Sequence, residues 1–365
     1  MDKPSNFKEN LRWFLIVLAL VLGAISLIMT LLSRRLESKP EPSAATDSPF
    51  WVDKEMISVI NVLSSGAVQP FGLDYDGSGV LTDLEPVVRN HDLASLSVHA
   101  LVNTDLSSAF ADQLYTTGFT MCGLAYPDVL ASGKEAVDLS NNYWNNSRMR
   151  ISGTNSSTDA KNQLRYTEVN GISAVYLSFT DYLNDPLPEN ETYLVNVYDD
   201  EKTPQFVSKA AEMADLVIVS ISWKGENGAL PNERQKKIAE SLADAGASII
   251  IGSAENAVQP IAWIDDTLVF YSLGNLCSTS EKAEERIGAL GAVTVSKTVT
   301  GNQKRIELTN PKADLVVTTE NKNGRRITYL SGASEEDVKD HKAVYDRYAG
   351  ILHRLDDSIR IGGLG

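Results

Sequence analysis

The sequence is poor in the side chains that usually hold transition metals or build disulfide networks. Of its 365 residues, only four are histidine and two are cysteine. So few cysteines exclude a fold held together by several disulfides. Cys122 and Cys277 each lie beside a short apolar run typical of a strand, so we expect buried free thiols, with a disulfide outside the cytoplasm as the alternative.

The four histidines do not form a metal-binding pattern. His341 and His353 fall in a charged C-terminal stretch, where we expect solvated side chains. His91 and His99 flank a strand-like segment, where we expect surface groups or hydrogen-bonded core groups. We therefore expect no metal site built from these four residues.

Positive charge is also scarce. The chain has 33 Lys and Arg against 48 Asp and Glu, a net charge of −15, and its basic residues are scattered. This excludes sequence-independent binding of nucleic acid, which needs clustered Lys and Arg at the phosphates. An acidic exterior also repels anionic polymers and lipid headgroups unless a local basic patch intervenes.

One long stretch lacks charge altogether. Residues 13–33 form an uncharged apolar run, and about 20 apolar residues suffice to cross a membrane. The run predicts one transmembrane helix, with residues 1–12 as a cytoplasmic tail and 34–49 as a linker. A cleaved signal peptide is the alternative, but the run is too long and no A-x-A-like site follows. Lys and Arg are nearly balanced on its two sides, so charge does not set the orientation.

From residue 50 onward, short apolar runs alternate with helical stretches. Strand-like runs begin at residues 57, 119, 172, 215, 248 and 268, with helical stretches from 107, 204 and 231. This alternation predicts an α/β fold of layered sheets flanked by helices over residues 50–330. The alternating pattern after residue 287 predicts an added antiparallel part. Residues 331–365 are predicted to form a C-terminal helix and tail.

The stretch 231–245 is the clearest predicted helix. Ile238, Ala239 and Leu242 share one face, with charged residues elsewhere. Gly246 stands where a helix terminator belongs.

A separate acidic segment, Asp74–Glu85, has the spacing of a calcium loop. Oxygen donors stand at its first, third, fifth, ninth and twelfth places, with Gly79 at the sixth. These donors are Asp74, Asp76, Ser78, Thr82 and Glu85. Pro86 weakens the match, because the exiting helix normally continues at that place. We expect no cofactor, and calcium is the alternative.

The longest motif covers residues 214–275 and reads ADLVIVSISWKGEN, then GSAENAVQP, then SLGN. This frame resembles the CapA family of poly-γ-glutamate capsule synthesis proteins, which is related to the calcineurin-like metallophosphatases. Where the family has a His two places before a Gly, this chain has Ser222, with Lys224 at the Gly. Glu226, two places after the Gly position, is kept.

The family's metal-binding segment GHHPHVxQP corresponds to residues 252–260. Its three His positions and its Pro are occupied by Ser253, Ala254, Asn256 and Glu255, the last at the Pro. Gly252 and the Val-Gln-Pro at 258–260 remain. The resemblance thus implies a retained frame without its metal ligands.

Two upstream segments extend the resemblance. GFTMCGLAYPDVLASG at 118–133 places Tyr126, Pro127 and Asp128 at the family's Asn-Asn-His. VLSSGAVQ at 62–69 places Ser65 at an Asp and Gln69 at a His.

These replacements change the chemistry that the resemblance implies. A dinuclear site needs imidazoles and carboxylates around two cations, and neutral hydroxyls bind such cations far more weakly. We therefore expect no catalytic metal. A residual polar pocket is expected instead, formed by Asp128, Trp223, Glu226, Glu255, Asn256 and Asn275.

The resemblance and the apolar run together predict a function. The expectation is a single-pass membrane protein whose extracellular domain assists synthesis or export of poly-γ-glutamate or a related envelope polymer without catalysis. Expected partners are membrane lipid, capsule synthase or export proteins, or an anionic polymer. The alternatives are an active hydrolase of phosphoesters or amides with an unusual metal set, and a surface binding module unrelated to capsule.

Overall fold

A computed structural model describes residues 13–26, 28, 55–224, 228–253, 256–321 and 324–365. The chain divides into two compact units, Met1–Lys54 and Glu55–Gly365. In the first unit, residues 13–26 and 28 are helical and form α1. No helix in the described residues is both long and apolar enough to cross a membrane. The predicted span, tail and linker lie partly or wholly outside those residues and stay predictions.

The first sheet of the second unit combines parallel and antiparallel strands. Its parallel strands are β1 (Met56–Val68), β2 (Leu93–Val98), β3 (Met121–Gly123) and β4 (Arg150–Ser152), in this order. On the other side of β1, the antiparallel strands are β12 (Ile287–Thr300), β13 (Gln303–Asn321) and β14 (Gly324–Tyr329). The last three strands are the antiparallel part that the sequence predicts after residue 287.

The second sheet has a parallel centre. Its central strands are β6 (Ile172–Thr180), β7 (Leu216–Ser222), β8 (Ile249–Ser253) and β10 (Thr267–Phe270). Its antiparallel edge strands are β5 (Tyr166–Val169) and β9 (Ile261–Ile264). Every residue of β7 and β8 is buried, as is typical of parallel strands covered on both faces.

Two very short strands complete the pairing. β11 (Asn275–Cys277) runs parallel to β1, and β15 (Arg360–Ile361) runs parallel to β13. Short 3₁₀ turns occupy Ala283–Arg286 and Leu330–Gly332. Cys122 in β3 and Cys277 in β11 are buried and are not joined to each other.

The two sheets stack, and helices cover their outer faces. One core cluster joins Ile60 of β1 with Ile218 and Ile249 of the second sheet. The helices on the first sheet are α2 (Glu85–Arg89), α3 (Ser108–Thr117) and α4 (Gly133–Asn146). Those on the second sheet are α6 (Lys202–Met213) and α7 (Glu233–Asp244). The mixed α/β layering agrees with the predicted fold class.

The remaining helices lie at connections and at the C-terminus. α5 (Thr158–Asn162) lies between β4 and β5. α8 (His341–Leu352) places Tyr348 and Leu352 in the core cluster between the sheets. The C-terminal segment thus packs within the second compact unit.

Local sequence signals account for α7. The Asn232 side chain accepts a hydrogen bond from the Gln235 backbone N–H at 2.9 Å, and the Gln235 side chain accepts from the Asn232 N–H at 2.8 Å. This reciprocal cap satisfies two N–H groups that have no partner within the helix. Leu242 is buried on the inner face, and Gly246 ends the helix with φ of +96°. The predicted helix over 231–245 is confirmed.

Candidate functional site

Three strands from the two sheets end close together. His99 directly follows β2, Ser222 ends β7 and Ser253 ends β8. Because these strands are parallel within their sheets, their carboxyl ends lie at the same edge of the molecule, where open α/β sheets usually bind ligands. We call these three residues the strand-end cluster.

The strand-end cluster is a buried network of neutral groups. The Nε2 atom of His99 lies 3.2 Å from Ser222 Oγ and 3.4 Å from Ser253 Oγ. The two serine Oγ atoms are 3.0 Å apart, and Ser222 Oγ donates to the Ala125 carbonyl oxygen at 2.9 Å. All three residues are at most 7% exposed. The cluster therefore ties the ends of β2, β7 and β8 together.

Burial controls the charge of His99. It lowers the pKa of the imidazole to about 4, because the charged form is poorly solvated there, while the Asp128 carboxylate opposes the shift. The Tyr126 ring stacks on the imidazole with centroids 5.3 Å apart. Burial also raises the Tyr126 pKa. Both rings are therefore neutral at pH 7.

Three amide side chains form a second polar group beside the strand-end cluster. Gln69 Nε2 donates to Asn275 Oδ1 at 2.8 Å and to Asn256 Oδ1 at 3.4 Å. Asn275 Nδ2 donates to the Glu285 carbonyl oxygen at 2.8 Å and to Asn256 Oδ1 at 3.3 Å. Asn256 adopts φ of +49°, a conformation that asparagine tolerates better than most residues. We call Gln69, Asn256 and Asn275 the amide cluster.

A cavity of about 290 Å³ opens at the strand ends. His99 from the strand-end cluster and Gln69 and Asn256 from the amide cluster line it, together with Asp105 and Asp128. Tyr126 and Pro127 also contribute to its wall. The structure thus brings Gln69, Tyr126, Pro127, Asp128 and Asn256 to one pocket. Of the predicted residual pocket, Asp128 and Asn256 are the described members that line it.

Other predicted site residues do not line this cavity. Ser65 is buried within β1, where its hydroxyl donates to the Gly66 carbonyl oxygen at 3.2 Å. Trp223 is fully buried and donates its indole N–H to the Tyr271 carbonyl oxygen at 3.0 Å. We therefore assign Trp223 to the core under the site. Glu226, Ala254 and Glu255 lie outside the described residues.

The retained frame residues have structural roles. A Cβ on Gly252 would overlap the Tyr271 carbonyl oxygen and the Trp223 indole. Gln259 donates to the carbonyl oxygens of Gly228 at 2.9 Å and Leu230 at 3.1 Å. It also accepts from Gln235 Nε2 at 2.9 Å. These residues hold β7, β8 and α7 in place whether or not a cation is bound.

The described donors at the strand ends do not fit a dinuclear metal centre. His99 Nε2 contacts two serine hydroxyls, and Asp128 Oδ1 accepts from Asn184 Nδ2 at 2.6 Å. Asp105 Oδ2 accepts from the Leu101 N–H at 3.0 Å. Within the described part of the chain, no three His, Cys, Asp or Glu residues come together as metal ligands. Neutral hydroxyls and amides are weak ligands for transition metals.

Two of the five calcium-loop donors make local contacts. Asp76 Oδ1 accepts from the Ser78 N–H at 2.8 Å, and Glu85 Oε1 pairs with Arg89 Nε at 2.7 Å. α2, which follows the loop, has only five residues. Calcium binding by Asp74, Asp76, Ser78, Thr82 and Glu85 stays an untested alternative.

His99 was not identified as a site residue from the sequence. Its position in the sequence predicted a surface group or a hydrogen-bonded core group, but not that His99 lies in the wall of the cavity. Its partners Ser222 and Ser253 are 123 and 154 residues away in the chain. The available signal was its position directly after a strand-like run, where functional groups collect in α/β folds.

The chain is similar to several known proteins. The family model for "Bacterial capsule synthesis protein PGA_cap" matches residues 62–280. "PGA biosynthesis protein CapA" of Bacillus subtilis (strain 168) is 29% identical over 223 residues, which cover 60% of this chain and 57% of that protein. "Capsule biosynthesis protein CapA" of Bacillus anthracis is 25% identical over 192 residues, 51% of this chain and 46% of that protein. The chain thus spans about half the length of these relatives.

A solved structure from Thermus thermophilus, described as a hypothetical protein, has 14% sequence identity to the chain. It aligns with 68% of this chain and 98% of its own at a TM-score of 0.40. A score this low carries no conclusion about function.

Proposed function

The chain belongs to the bacterial capsule synthesis protein family PGA_cap, and from this premise we propose that it assists synthesis or export of a capsular polymer of the poly-γ-glutamate type without catalysing a reaction. The matched residues 62–280 include the strand-end cluster and the amide cluster. Two of its relatives are named for PGA or capsule biosynthesis.

The observation that carries the non-catalytic role is the neutral strand-end cluster. A metallophosphatase stabilises negative charge that develops on attacking and leaving oxygens by placing two cations there. In this chain, two serines and an imidazole with a pKa near 4 occupy the strand ends. Their hydrogen bonds are directed at one another and at the Ala125 carbonyl oxygen. Such a network stabilises the scaffold but supplies no positive field.

The proposal includes a membrane anchor with the Glu55–Gly365 unit outside the cell. Its support is the uncharged sequence of residues 13–33, which has the length of a spanning helix. Protease treatment of intact cells, followed by detection of the C-terminal unit, tests this arrangement. Protection of that unit from the protease would contradict it.

Two measurements test the proposed role. Deletion of the gene is expected to reduce capsular polymer in the producing cells. The wild-type, Ser222→Ala and Ser253→Ala chains are each expected to restore it, with Ser241→Ala on α7 as the matched control. Loss of function in Ser222→Ala or Ser253→Ala alone, with normal folding, would favour a hydrolase that uses the contact of these serines with His99.

The purified full-length chain provides the second measurement. We expect neither stoichiometric Mn or Zn nor hydrolysis of a phosphoester or amide substrate. Bound metal together with turnover that depends on Asp128, Glu226 or Glu255 would establish the hydrolase alternative. Unchanged capsule after deletion would reject the capsule role and favour a binding module unrelated to capsule.

A further inference from the structure

A second cavity lies where the two stacked sheets open at one side. Its volume is about 430 Å³, within the range of about 300–1,000 Å³ that is common for small-ligand sites. Residues of β3 and β4 from the first sheet and of β5 and β6 from the second line it. β4 and β5 are the last strands of their sheets on this side. The cavity shares no lining residue with the cavity at the strand ends.

The charge of this cavity is opposite to that of the chain. Arg150, Lys161 and Arg165 line it, and no Asp or Glu does, although the chain contains 48 acidic residues and has a net charge of −15. We call this cavity the basic cleft. A cleft lined by charge of one sign concentrates ions of the other sign.

The three cations have no carboxylate partner within the described residues. Lys161 Nζ donates to the carbonyl oxygens of Thr192 at 2.6 Å and Val195 at 3.1 Å. Arg165 Nε donates to Gln163 Oε1 at 3.1 Å. Burial lowers the pKa of Lys161, and the charge of Lys202 lowers it further. An anion in the cleft would relieve this unfavourable environment of the ammonium group.

A buried donor in the cleft wall also has no partner. Trp144 is 1% exposed and lines the cleft, and its indole N–H makes no hydrogen bond within the part of the chain described. That nitrogen is itself closed to solvent, so Trp144 can report on an occupant of the cleft without bonding to it. The charged groups that line the cleft are all hydrogen-bond donors. A ligand that fits the cleft is therefore an acceptor that carries negative charge.

The amides in the wall distinguish a carboxylated polyamide from a simple anion. Asn145, Asn155 and Gln163 line the cleft beside the three cations. Asn155 Nδ2 already donates to the Tyr193 carbonyl oxygen and to Asn196 Oδ1, both at 2.9 Å. Its Oδ1, the Nε2 of Gln163 and the amide of Asn145 are therefore the groups that can pair with a ligand. Amide side chains pair with the N–H and C=O groups of another amide, whereas inorganic phosphate offers neither. Arginine in turn binds carboxylates through two parallel hydrogen bonds.

We propose that the basic cleft binds a carboxylate-bearing polyamide chain by ion pairs to Arg150, Lys161 and Arg165. The identification of this chain with the capsular polymer rests on the proposed function. The binding itself depends only on the contents of the cleft.

Titration of the purified full-length chain with a γ-linked glutamate pentamer tests the proposal. The wild-type chain is expected to bind, with weaker binding at higher salt. Arg150→Gln and Lys161→Gln are each expected to weaken binding about tenfold, the usual effect of losing one charged hydrogen bond. Arg150 is exposed, so its replacement keeps the test valid if Lys161→Gln fails to fold. Lys342→Gln on α8, outside the cleft, is the matched control and is expected to bind like wild type.

Trp144 provides an optical readout. Binding is expected to change the tryptophan emission of the wild-type chain. The change is expected to disappear in Trp144→Phe, because Trp144 lines the cleft. An emission change that persists in full in Trp144→Phe would place the ligand beside another tryptophan and overturn the assigned site.

Three results would overturn the proposed site. They are equal affinity in all variants, equal affinity for a neutral glutamine pentamer, and equal affinity for inorganic phosphate. Deletion of the gene tests the proposed function separately. If the capsule stays intact after deletion while binding still depends on the cleft residues, the capsule role is rejected and the binding site is retained. If the capsule is lost but the pentamer does not bind, the capsule role is retained and the binding site is rejected.

Discussion

Replacing His99 with glutamine removes a buried titrating group from the strand ends and keeps a polar side chain there. The His99 pKa is about 4 in the folded chain, against an ordinary value of 6.5. As the pH falls, the unfolded chain takes up this proton first, so the folded state loses stability. The His99 contribution is therefore fully present above pH 6.5, is lost as the pH falls from 6.5 to 4, and changes no further below that range.

The shift sets the size of the effect. A difference of about 2.5 pKa units corresponds to about 3.4 kcal/mol at most, and to about 2 kcal/mol at pH 5. Urea unfolding at pH 8 and pH 5 measures the loss in wild type and in His99→Gln. The loss is expected to be about 2 kcal/mol smaller in the variant, whose other titrating groups are unchanged. An equal loss in both proteins would show that His99 titrates normally and that the cluster is not closed to water.

Three further predictions concern other contacts. Trp223→Phe leaves the buried Tyr271 carbonyl oxygen without its donor and should lower the unfolding free energy by about 1–3 kcal/mol in urea titrations. An unchanged unfolding free energy would show that the indole N–H is exposed to water. Asp215→Asn removes the negative charge that pairs with Lys297 and Lys304 at 2.8 Å and should lower the unfolding free energy by about 3 kcal/mol, with Glu307→Gln as an exposed control. Calcium should leave the melting temperature unchanged relative to EDTA, since Glu85 pairs with Arg89; a calcium-dependent rise would establish the loop as a site.

Much of the fold is predictable from the sequence because several helices and strands are each marked by more than one local sequence feature. β7 and β8 are continuous apolar runs, and α7 combines an apolar face with a terminating Gly246. α4 was not predicted, because Asn and Ser dominate its second half and only a few positions, including Val137 and Trp144, are buried. Tertiary packing decides such a helix, and a single sequence does not show that packing.

The site was less predictable than the fold because its contacts are long-range. The resemblance located Ser222, Ser253 and Asn256, and the pairing of β7 with β8 explains why the two serines meet. It did not identify the imidazole that joins the serines, which lies on the opposite sheet. It also placed Trp223 in the pocket, whereas packing against Tyr271 turns its polar group into the core.

The two cavities differ in the charge that they offer to an anionic polymer. An acidic chain of net charge −15 repels an anionic polymer over most of its surface, and the neutral strand-end cluster does nothing to offset this repulsion. Arg150, Lys161 and Arg165 are spread over sixteen positions of sequence that show no basic run, yet the fold assembles them at one opening between the sheets. If the chain handles a carboxylated polymer, attraction must come from a local patch of this kind, since screening confines surface electrostatics to about 10 Å at ordinary salt. The strand-end cluster is therefore not expected to hold the polymer, and variants of the basic cleft are the ones expected to change its binding.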